Sequence, residues 1–328
     1  MKQEINWGII GCGDVTEVKS GPAFSKVERS NLIAVMRRDA EKVKDYAQRH
    51  NVPIYYTDAD ELINDPRINA VYIATPPLHH EQYALAALQA GKPVYVEKPM
   101  AISYAAAKRL NEAADQSGVK LVVAHYRRQL PLFKKIKELV DQHAIGDVRF
   151  VKMQMLQPHN APLITQTHDN WRVNPDVAGG GLFHDLAPHQ LDLMLHFFGG
   201  VNTACGFSAN QGGHYAADDI VEGVIKFNNN ILFNGLWCFT VPKNETKDLC
   251  EIIGSNGKLS FSIFNHEWLK LTVNNEVQEF AFTNPPHVQQ PMIEKVVQYF
   301  LDEGPNPCPG QDGVEVMRLI EKFTVNSR

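Results

Sequence analysis

The sequence predicts an α/β fold in two domains, the first built on a doubly wound parallel sheet and the second, an α+β domain, on a largely antiparallel sheet. Three observations support this prediction. A glycine-rich turn at 11–13 follows the first apolar run, and apolar runs then alternate with helical patterns as far as residue 124. From residue 202 onward, strand-length runs follow one another with short turns between them. Alternating strands and helices are typical of a parallel sheet, whereas consecutive strands with short turns are typical of an antiparallel one.

The turn after the first strand has the pattern of a dinucleotide-binding loop. Residues 7–10 form a short apolar run, and the sequence GCGDVT follows directly. Two glycines permit a tight turn and let a pyrophosphate approach the bare backbone where the next helix begins. Thr16 replaces the third glycine of the pattern, which predicts slightly wider packing of that helix on the strand. In this predicted Rossmann domain, the loop residues expected at the cofactor are Gly11, Cys12, Gly13, Asp14 and Val15.

The end of the second strand, at 31–36, indicates which dinucleotide is bound. An acidic residue at this point bonds a ribose hydroxyl of NAD, whereas an arginine accommodates the 2′-phosphate of NADP. Arg37 and Arg38 follow the strand, so we favour NADP(H) over NAD(H). The alternative is a solvated arginine pair at the start of the helix 39–50, with Asp39 taking part of the role of the acid.

The carboxyl edge of the predicted parallel sheet collects the other candidate residues of this half. Its remaining elements are helices at 59–64, 81–90 and 104–116 and strands at 70–74, 94–96 and 120–124. Ligands of such sheets bind where the strands end. Thr75, Pro76 and His80 follow one strand, and Glu97 and Lys98 follow another. We expect Lys98 to reach the active site; the alternative is a solvated lysine at a strand end.

A helix with a polar stripe follows the triple glycine at 179–181. Its members, Asp185, His189, Asp192 and His196, are spaced at i, i+4, i+7 and i+11, which places them on one helical face. An aspartate one turn from a histidine can fix its tautomer and raise its pKa, which favours proton transfer. The alternatives are a solvated face and a metal site, although the spacing differs from that of zinc-binding helices.

The rest of the second half is predicted to be strands closed by two helices. The strands are expected at 205–209, 220–227, 231–239, 249–253, 258–262 and 269–273, and the helices at 289–301 and after Gly313. We therefore place the dinucleotide-binding domain at 1–124 and the second domain at 125–328, with the last helix as a candidate to pack back on the first domain.

Composition narrows the expected partners to small molecules. The net charge of -5 provides no basic surface for nucleic acid or an anionic membrane. No run approaches the roughly 18 apolar residues that a membrane span needs. Five cysteines, without a CxxC spacing, indicate neither a disulfide framework nor a zinc site. With no signal-peptide pattern at the start, these features favour the cytoplasm.

Taken in order along the chain, these motifs resemble the Gfo/Idh/MocA family, the group of glucose–fructose oxidoreductase and inositol dehydrogenase. The resemblance runs from residue 7 to about residue 320 and rests on Gly11-Cys12-Gly13, Ala74-Thr75-Pro76-Pro77 with His80, Glu97-Lys98-Pro99, Trp171-Arg172, the triple glycine with Asp185 and His189, and Asp312-Gly313. It implies a nicotinamide-dependent oxidoreductase, usually one that acts on a sugar, a polyol or a related cyclic alcohol or ketone.

The resemblance also implies roles for particular residues. It places Lys98 beside the nicotinamide, makes Asp185 and His189 the rest of the catalytic set, and puts Trp171 and Arg172 at the cofactor. The second domain would bind substrate, and the open face of its sheet would form a homodimer or homotetramer. Tyr126 stands where many members have an asparagine near the nicotinamide. Candidates for the substrate pocket are Tyr126, Arg128, His159, Asn160 and His168.

Three other functions stay open. A non-sugar substrate, such as a trans-dihydrodiol or a tetrapyrrole, would use the same chemistry. A cofactor-binding sensor without turnover is disfavoured by Lys98, Asp185 and His189, because a sensor needs no proton transfer. A redox-neutral glycosidase using bound NAD is disfavoured by the arginine pair and by the lack of an obvious pair of acids.

Overall fold

A computed structural model describes residues 3–161 and 171–324 of the chain. The chain divides into two compact units. The first contains Met1–Arg127 and Pro285–Met317, and the second contains Arg128–Asn284 and Arg318–Arg328. Each unit contains one sheet. Among the described residues, no helix combines the length and apolar character that crossing a bilayer requires.

Six parallel strands form the sheet of the first unit. They are β1 (Ile5–Ile10), β2 (Ser30–Met36), β3 (Ile54–Tyr56), β4 (Ala70–Ile73), β5 (Val94–Val96) and β6 (Leu121–Val123). Their order is β3-β2-β1-β4-β5-β6, so the chain runs outward from β1 in both directions. Because the order reverses between β1 and β4, the carboxyl ends of these two strands flank the expected ligand crevice. This confirms the predicted doubly wound sheet.

Helices alternate with these strands, and side-chain caps fix where several of them begin. The helices are α1 (Asp14–Val18), α2 (Gly21–Phe24), α3 (Ala40–Arg49), α4 (Ala59–Asn64), α5 (His80–Gln89) and α6 (Tyr104–Ser117). The side chains of Asp39, Asp58 and Ser103 accept hydrogen bonds from backbone N–H groups in the first turns of α3, α4 and α6. Such caps satisfy donors that have no partner inside the helix.

Eight strands form the sheet of the second unit. They are β7 (Val148–Leu156), β8 (Val201–Ala209), β9 (Ile220–Phe227), β10 (Leu232–Cys238), β11 (Lys247–Gly254), β12 (Gly257–Phe261), β13 (Trp268–Val273) and β14 (Glu276–Ala281). Their order is β14-β13-β12-β11-β7-β10-β9-β8. Neighbouring strands are antiparallel except β7 and β10, which are parallel. The prediction of a largely antiparallel sheet is therefore confirmed, and the pair β7–β10 makes the sheet a mixed one.

The second unit contains the helices α7 (Pro131–Asp141), α8 (Pro175–Ala178) and α9 (Leu182–Phe198), of which α9 packs on one face of this sheet. The rings of Phe183 in α9 and Trp237 in β10 meet edge to face at 5.0 Å. The indole Nε1 of Trp237 donates to Oε1 of Gln190 at 2.6 Å, so a buried polar pair joins helix and sheet. Pro188 lies inside α9, beyond the first turn in which a proline is tolerated best.

The sequence missed several elements and placed one segment differently. Strands β3, β7 and β14 and helix α7 were not predicted. The last two helices are α10 (Gln290–Phe300) and α11 (Gly310–Thr324). The structure places Pro285–Met317, with all of α10, in the first unit, whereas the sequence assigned residues 125–328 to the second domain with the last helix as a candidate to pack back on the first.

Contacts of α10 with β1 and with Lys120 explain why Pro285–Met317 belongs to the first unit. The ring of Phe300 lies 5.5 Å from that of Trp7 in β1. Lys120 donates from Nζ to the carbonyl oxygens of Tyr299 at 2.9 Å and Phe300 at 3.1 Å. Helix α11 is divided between the units at Met317 and Arg318. Because these contacts join residues far apart in sequence, no local pattern reveals them.

Candidate active site

The glycine turn after β1 is shaped by a close approach to the loop after β4. Gly11 has a φ of +95°, and a Cβ atom there would lie 2.7 Å from the backbone nitrogen of Thr75. Only glycine fits both constraints. A Cβ on Gly13 would meet nothing within 4 Å, so the backbone of that residue is open to a ligand. Oγ1 of Thr75 is buried without a hydrogen-bond partner among the described residues. These features fit a dinucleotide at this edge.

Thr16, at the third position of the glycine pattern, lies in close contact with a glycine outside that pattern. Thr16 is fully buried, and its Oγ1 donates to the carbonyl oxygen of Gly13 at 2.8 Å. The hydroxyl of Tyr46 donates to the carbonyl of Thr16 at 2.9 Å. A Cβ on Gly21 would overlap both that carbonyl and that hydroxyl. Gly21 therefore permits a close approach to Thr16 and Tyr46, and the wider helix–strand packing expected at Thr16 stays a prediction.

Cys12 can contact a dinucleotide through its backbone only, because its side chain is buried in the core. The residue is 1% exposed, and burial raises the pKa of its thiol to about 11. The thiol is therefore protonated at neutral pH. Asp14 is exposed and Val15 is half-buried in α1, which is only five residues long.

The two arginines after β2 have different environments. Nη1 of Arg37 donates to the carbonyl oxygen of Cys12 at 3.1 Å, so this side chain braces the glycine turn. Arg38 is exposed. Asp39 is exposed, and Oδ1 of its carboxylate accepts from the backbone of Lys42 at 3.1 Å and caps α3. Burial and, secondly, the charge of Arg38 lower the pKa of His79 in the loop after β4.

Glu97 and Lys98 follow β5, as predicted, and the Glu97 carboxylate is buried. Glu97 is 6% exposed and Lys98 is half-buried. The carboxylate accepts from the backbone N–H of Lys98 at 3.1 Å and from the hydroxyl of Tyr72 at 2.6 Å. One side of the Lys98 backbone is thereby fixed.

His80 holds the other side of Lys98. Its Nδ1 lies 2.9 Å from the carbonyl oxygen of Pro99, and its Nε2 lies 2.7 Å from that of Thr75. Burial lowers the pKa of His80, although the two carbonyls oppose this effect. A neutral imidazole donates from one nitrogen only, so one of the two contacts carries the proton. His80 is therefore buried between the loops after β4 and β5 and donates a hydrogen bond to one of them.

In the second unit, Asp185 lies in an ion pair at the start of α9. Nε of Arg172 lies 3.4 Å from Oδ2 of Asp185, and its guanidinium stacks on the ring of Trp171 at 4.5 Å. Nη1 of Arg172 is buried without a partner among the described residues. Trp171 and Arg172 are thus joined to the catalytic candidate Asp185.

The polar stripe of α9 divides into two parts. His189 is 6% exposed, and its ring meets that of Phe264 edge to face at 5.8 Å. Asp192, one turn further, is 1% exposed and binds the guanidinium of Arg128 through Nε at 2.9 Å and Nη2 at 2.6 Å. Arg128, predicted for the substrate pocket, is itself only 5% exposed. We attribute the burial of Arg128, which was predicted to line the substrate pocket, to Asp192, because the buried carboxylate of Asp192 needs a cation beside it.

The other predicted pocket residues have varied environments. Tyr126 is 6% exposed, with the Arg127 guanidinium 5.4 Å from its ring. His159 stacks on His214 at 4.2 Å, and Asn160 is exposed. His168 lies outside the described residues. Within the described ranges, no three His, Cys, Asp or Glu side chains are grouped as metal ligands would be.

A doubly wound parallel sheet with an open glycine turn at the carboxyl end of its first strand is typical of dinucleotide-binding proteins. Residues 5–125 match the oxidoreductase family with an NAD-binding Rossmann fold, and residues 133–260 match the GFO/IDH/MocA C-terminal domain. The chain therefore belongs to the Gfo/Idh/MocA family of oxidoreductases, which confirms the resemblance stated from the motifs.

Relatives of known name cover most of the chain. Oxidoreductase P35 of Formosa agariphila is 48% identical over 98% of this chain and 99% of its own length. Trans-1,2-dihydrobenzene-1,2-diol dehydrogenase of Xenopus laevis is 28% identical over 87% of this chain and 83% of its own. 1,5-Anhydro-D-fructose reductase of Ensifer adhaerens is 27% identical over 77% of this chain and 74% of its own length. The fold is similar to that of levoglucosan dehydrogenase solved with NADH and levoglucosan, with a TM-score of 0.86 and 21% identity over 99% of this chain and 97% of that one.

Proposed function

We propose that the protein transfers a hydride between NADP(H) and a sugar, a polyol or a related cyclic alcohol or ketone. The observation that carries the proposal is Lys98, which follows β5 at the carboxyl edge of the dinucleotide sheet and whose backbone is held on both sides. Its nearest neighbours in the chain, Glu97 and Pro99, are bonded by Tyr72 and His80 respectively. The similarity to an anhydrofructose reductase supports a sugar-like substrate.

The residues of this chain would supply the proton chemistry. When bound, the nicotinamide supplies or accepts the hydride. We assign Lys98 to polarising the substrate oxygen, His189 to exchanging a proton with that oxygen, and Asp185 to orienting the histidine. Arg172, paired with Asp185, would keep that carboxylate in place. A correctly placed acid or base contributes about 10²–10⁴-fold to a rate.

The preference for NADP(H) rests on charge at the end of β2. Arg38 is exposed there, and the adjacent Asp39 caps α3 through its carboxylate. A 2′-phosphate would therefore meet a cation instead of a carboxylate. Arg37 would act on both dinucleotides, because it braces the turn that receives the pyrophosphate.

A second candidate substrate is a trans-dihydrodiol. The similarity to a dihydrobenzenediol dehydrogenase favours it, and its oxidation would use the same hydride and proton transfers. Binding of the dinucleotide without turnover would instead support the sensor.

We propose that the protein forms a homodimer or homotetramer through the face of the second sheet opposite α9. Strand register places Phe207, Val224, Leu232 and Phe150 on this face, and they are 72%, 41%, 48% and 37% exposed. Apolar side chains grouped in this way mark interaction sites. Glu222 and Lys226 lie among them, so a second copy could match both the apolar groups and the charges. Phe207→Glu should give monomers in sedimentation velocity, whereas Val277→Glu on the edge strand β14 should not.

A cytoplasmic location completes the proposal. All five cysteines are free thiols, of which only Cys205 is exposed. Free thiols are typical of a reducing compartment.

The first experiment is a fluorescence titration with NADPH and NADH, followed by turnover assays. The substrate panel contains 1,5-anhydro-D-fructose, levoglucosan, inosose-type ketones and trans-dihydrodiols. Arg38→Ala should raise the Kd for NADPH about tenfold, equivalent to one phosphate contact of about 1.4 kcal/mol, and leave NADH unchanged. Lys44→Ala, an exposed lysine of α3, is the matched control. Equal affinity of the wild type for both cofactors would contradict the NADP(H) preference.

A further inference from the structure

A buried chain of hydrogen-bonded side chains in the first unit ends at the backbone of Lys98. Oε1 of Glu97 accepts from the hydroxyl of Tyr72 and from Nε2 of Gln289, each at 2.6 Å. Oε2 of Glu97 accepts from the backbone nitrogen of Lys98 at 3.1 Å. Oε1 of Gln289 accepts from the hydroxyl of Tyr95 at 3.2 Å. Apart from Glu97, at 6%, these network side chains are fully buried.

The chemistry of the partners fixes the direction of every bond in this network. An ionised carboxylate only accepts hydrogen bonds, so Gln289 must present its amide nitrogen to Glu97 and its oxygen to Tyr95. Burial, and then the charge of Glu97, raise the pKa values of Tyr72 and Tyr95 well above their usual range. Both phenols therefore remain neutral donors, and the network has a single arrangement.

Gln289 is anchored independently of the network it joins. Its backbone nitrogen donates to the carbonyl of Lys19 at 3.1 Å, and its own carbonyl accepts from Ile293 in the first turn of α10 at 3.0 Å. It lies 192 residues from Glu97 in the sequence. The position of its amide is thus set by α10, and the amide in turn limits where the Glu97 carboxylate can lie.

We propose that Gln289 is a positioning residue for Lys98, acting through the carboxylate of Glu97. Without the amide donor, the carboxylate turns toward its remaining donors and the N–H of Lys98 moves with it. This inference rests on the proposed role of Lys98 in hydride transfer. It assigns no contact with substrate or cofactor to Gln289, so turnover should change while cofactor affinity does not.

The first test compares Gln289→Met with Gln290→Met in the full-length protein. Gln290 is the matched control, because it is adjacent, only half-buried and also donates to a glutamate, Glu294, at 3.3 Å. With NADPH and 1,5-anhydro-D-fructose, or the panel compound with the highest turnover, Gln289→Met should lower kcat about 10- to 100-fold, as expected for a small displacement of a reacting group. The Kd for NADPH should stay within about twofold, a difference of roughly 0.4 kcal/mol. Gln290→Met should leave both unchanged.

A double variant tests whether Gln289 acts through the lysine. If it does, adding Gln289→Met to Lys98→Met should cause no further loss of kcat, because residues that act as one unit are not additive. Additive losses would overturn the inference. Wild-type kcat in Lys98→Met would refute the proposed function itself. Loss in Lys98→Met with kcat within twofold of wild type in Gln289→Met would refute only the positioning role.

Gln289→Glu keeps the shape of the side chain and gives the network a titratable group. Two carboxyls at this separation share a proton, which raises the pKa of the pair. Neighbouring titratable groups are Tyr72 and Tyr95 around the pair, His80 and Lys98 near Glu97, and Cys308 and Tyr126 near Tyr95. We expect kcat close to wild type at low pH and a fall as pH rises through that pKa, while NADPH affinity holds. Linkage lowers Tm over the same range, so kcat is measured well below Tm at every pH. A pH profile of kcat parallel to that of the wild type, or a loss of NADPH affinity over the same range, would overturn the proposal.

Discussion

The buried ion pair of Arg128 and Asp192 allows a stability prediction that also tests the role of Arg128. The two side chains are 5% and 1% exposed and share bonds of 2.6 to 3.1 Å. Asp192→Asn removes this anion from a guanidinium that is itself buried. Breaking a buried pair in this way costs about 3–5 kcal/mol. For a unit of this size, that corresponds to a fall in Tm of roughly 6–20 °C.

The assay is urea and thermal unfolding of Asp192→Asn, Arg128→Met and the double variant, without cofactor. Each single variant should be strongly destabilised and the double variant less so than their sum, because it leaves neither charge alone. Asp141→Asn is the control, because Asp141 pairs with Lys137 on the exposed surface of α7 and is 55% exposed. Its cost should be below about 1 kcal/mol.

A loss below about 1 kcal/mol for Asp192→Asn would refute this account of the pair. So would strict additivity in the double variant. An Arg128→Met protein of normal stability with a raised KM would return Arg128 to the substrate pocket predicted from the sequence.

Three further predictions concern residues that support the site. Gly21→Ala should weaken both NADPH and NADH binding and lower Tm, because its Cβ overlaps the carbonyl of Thr16; unchanged titrations would contradict this. His80 has a lowered pKa, so the stability it contributes is present above its unfolded value of 6.5 and is lost as pH falls. The free energy of unfolding, measured with urea from pH 8 to 5, should therefore depend less on pH in His80→Leu than in the wild type, by at most about 1.4 kcal/mol per pH unit. Equal slopes in the two proteins would refute this contribution of His80. Gln190→Leu removes the acceptor of the Trp237 indole N–H and should lower the free energy of unfolding by about 1–3 kcal/mol at an unchanged m-value. An unchanged urea midpoint would refute this prediction.

Local patterns were sufficient for much of the fold, because they depend on residues close in sequence. The glycine turn, the alternation to residue 124 and Lys98 at the end of β5 all follow from short motifs. Strand β7 was missed although buried Val151, Met153 and Met155 alternate with Lys152 and Gln154, which is the period of a half-buried strand. Gln289 and Gly21 were missed for another reason. Their importance lies in contacts with Glu97 and Thr16 that only the folded chain brings together.

Strand β7 has a consequence for the order in which the second sheet can assemble. On one side lies the meander β8-β9-β10 and on the other the meander β11-β12-β13-β14, each joined by short connections. Strand β7 alone bridges the two, and its parallel partner β10 is separated from it by the whole chain from 157 to 231. Local pairings form fast, whereas closing so long a loop is slow. We therefore expect two early hairpin clusters whose union awaits β7, which makes this strand the kinetic bottleneck of the sheet.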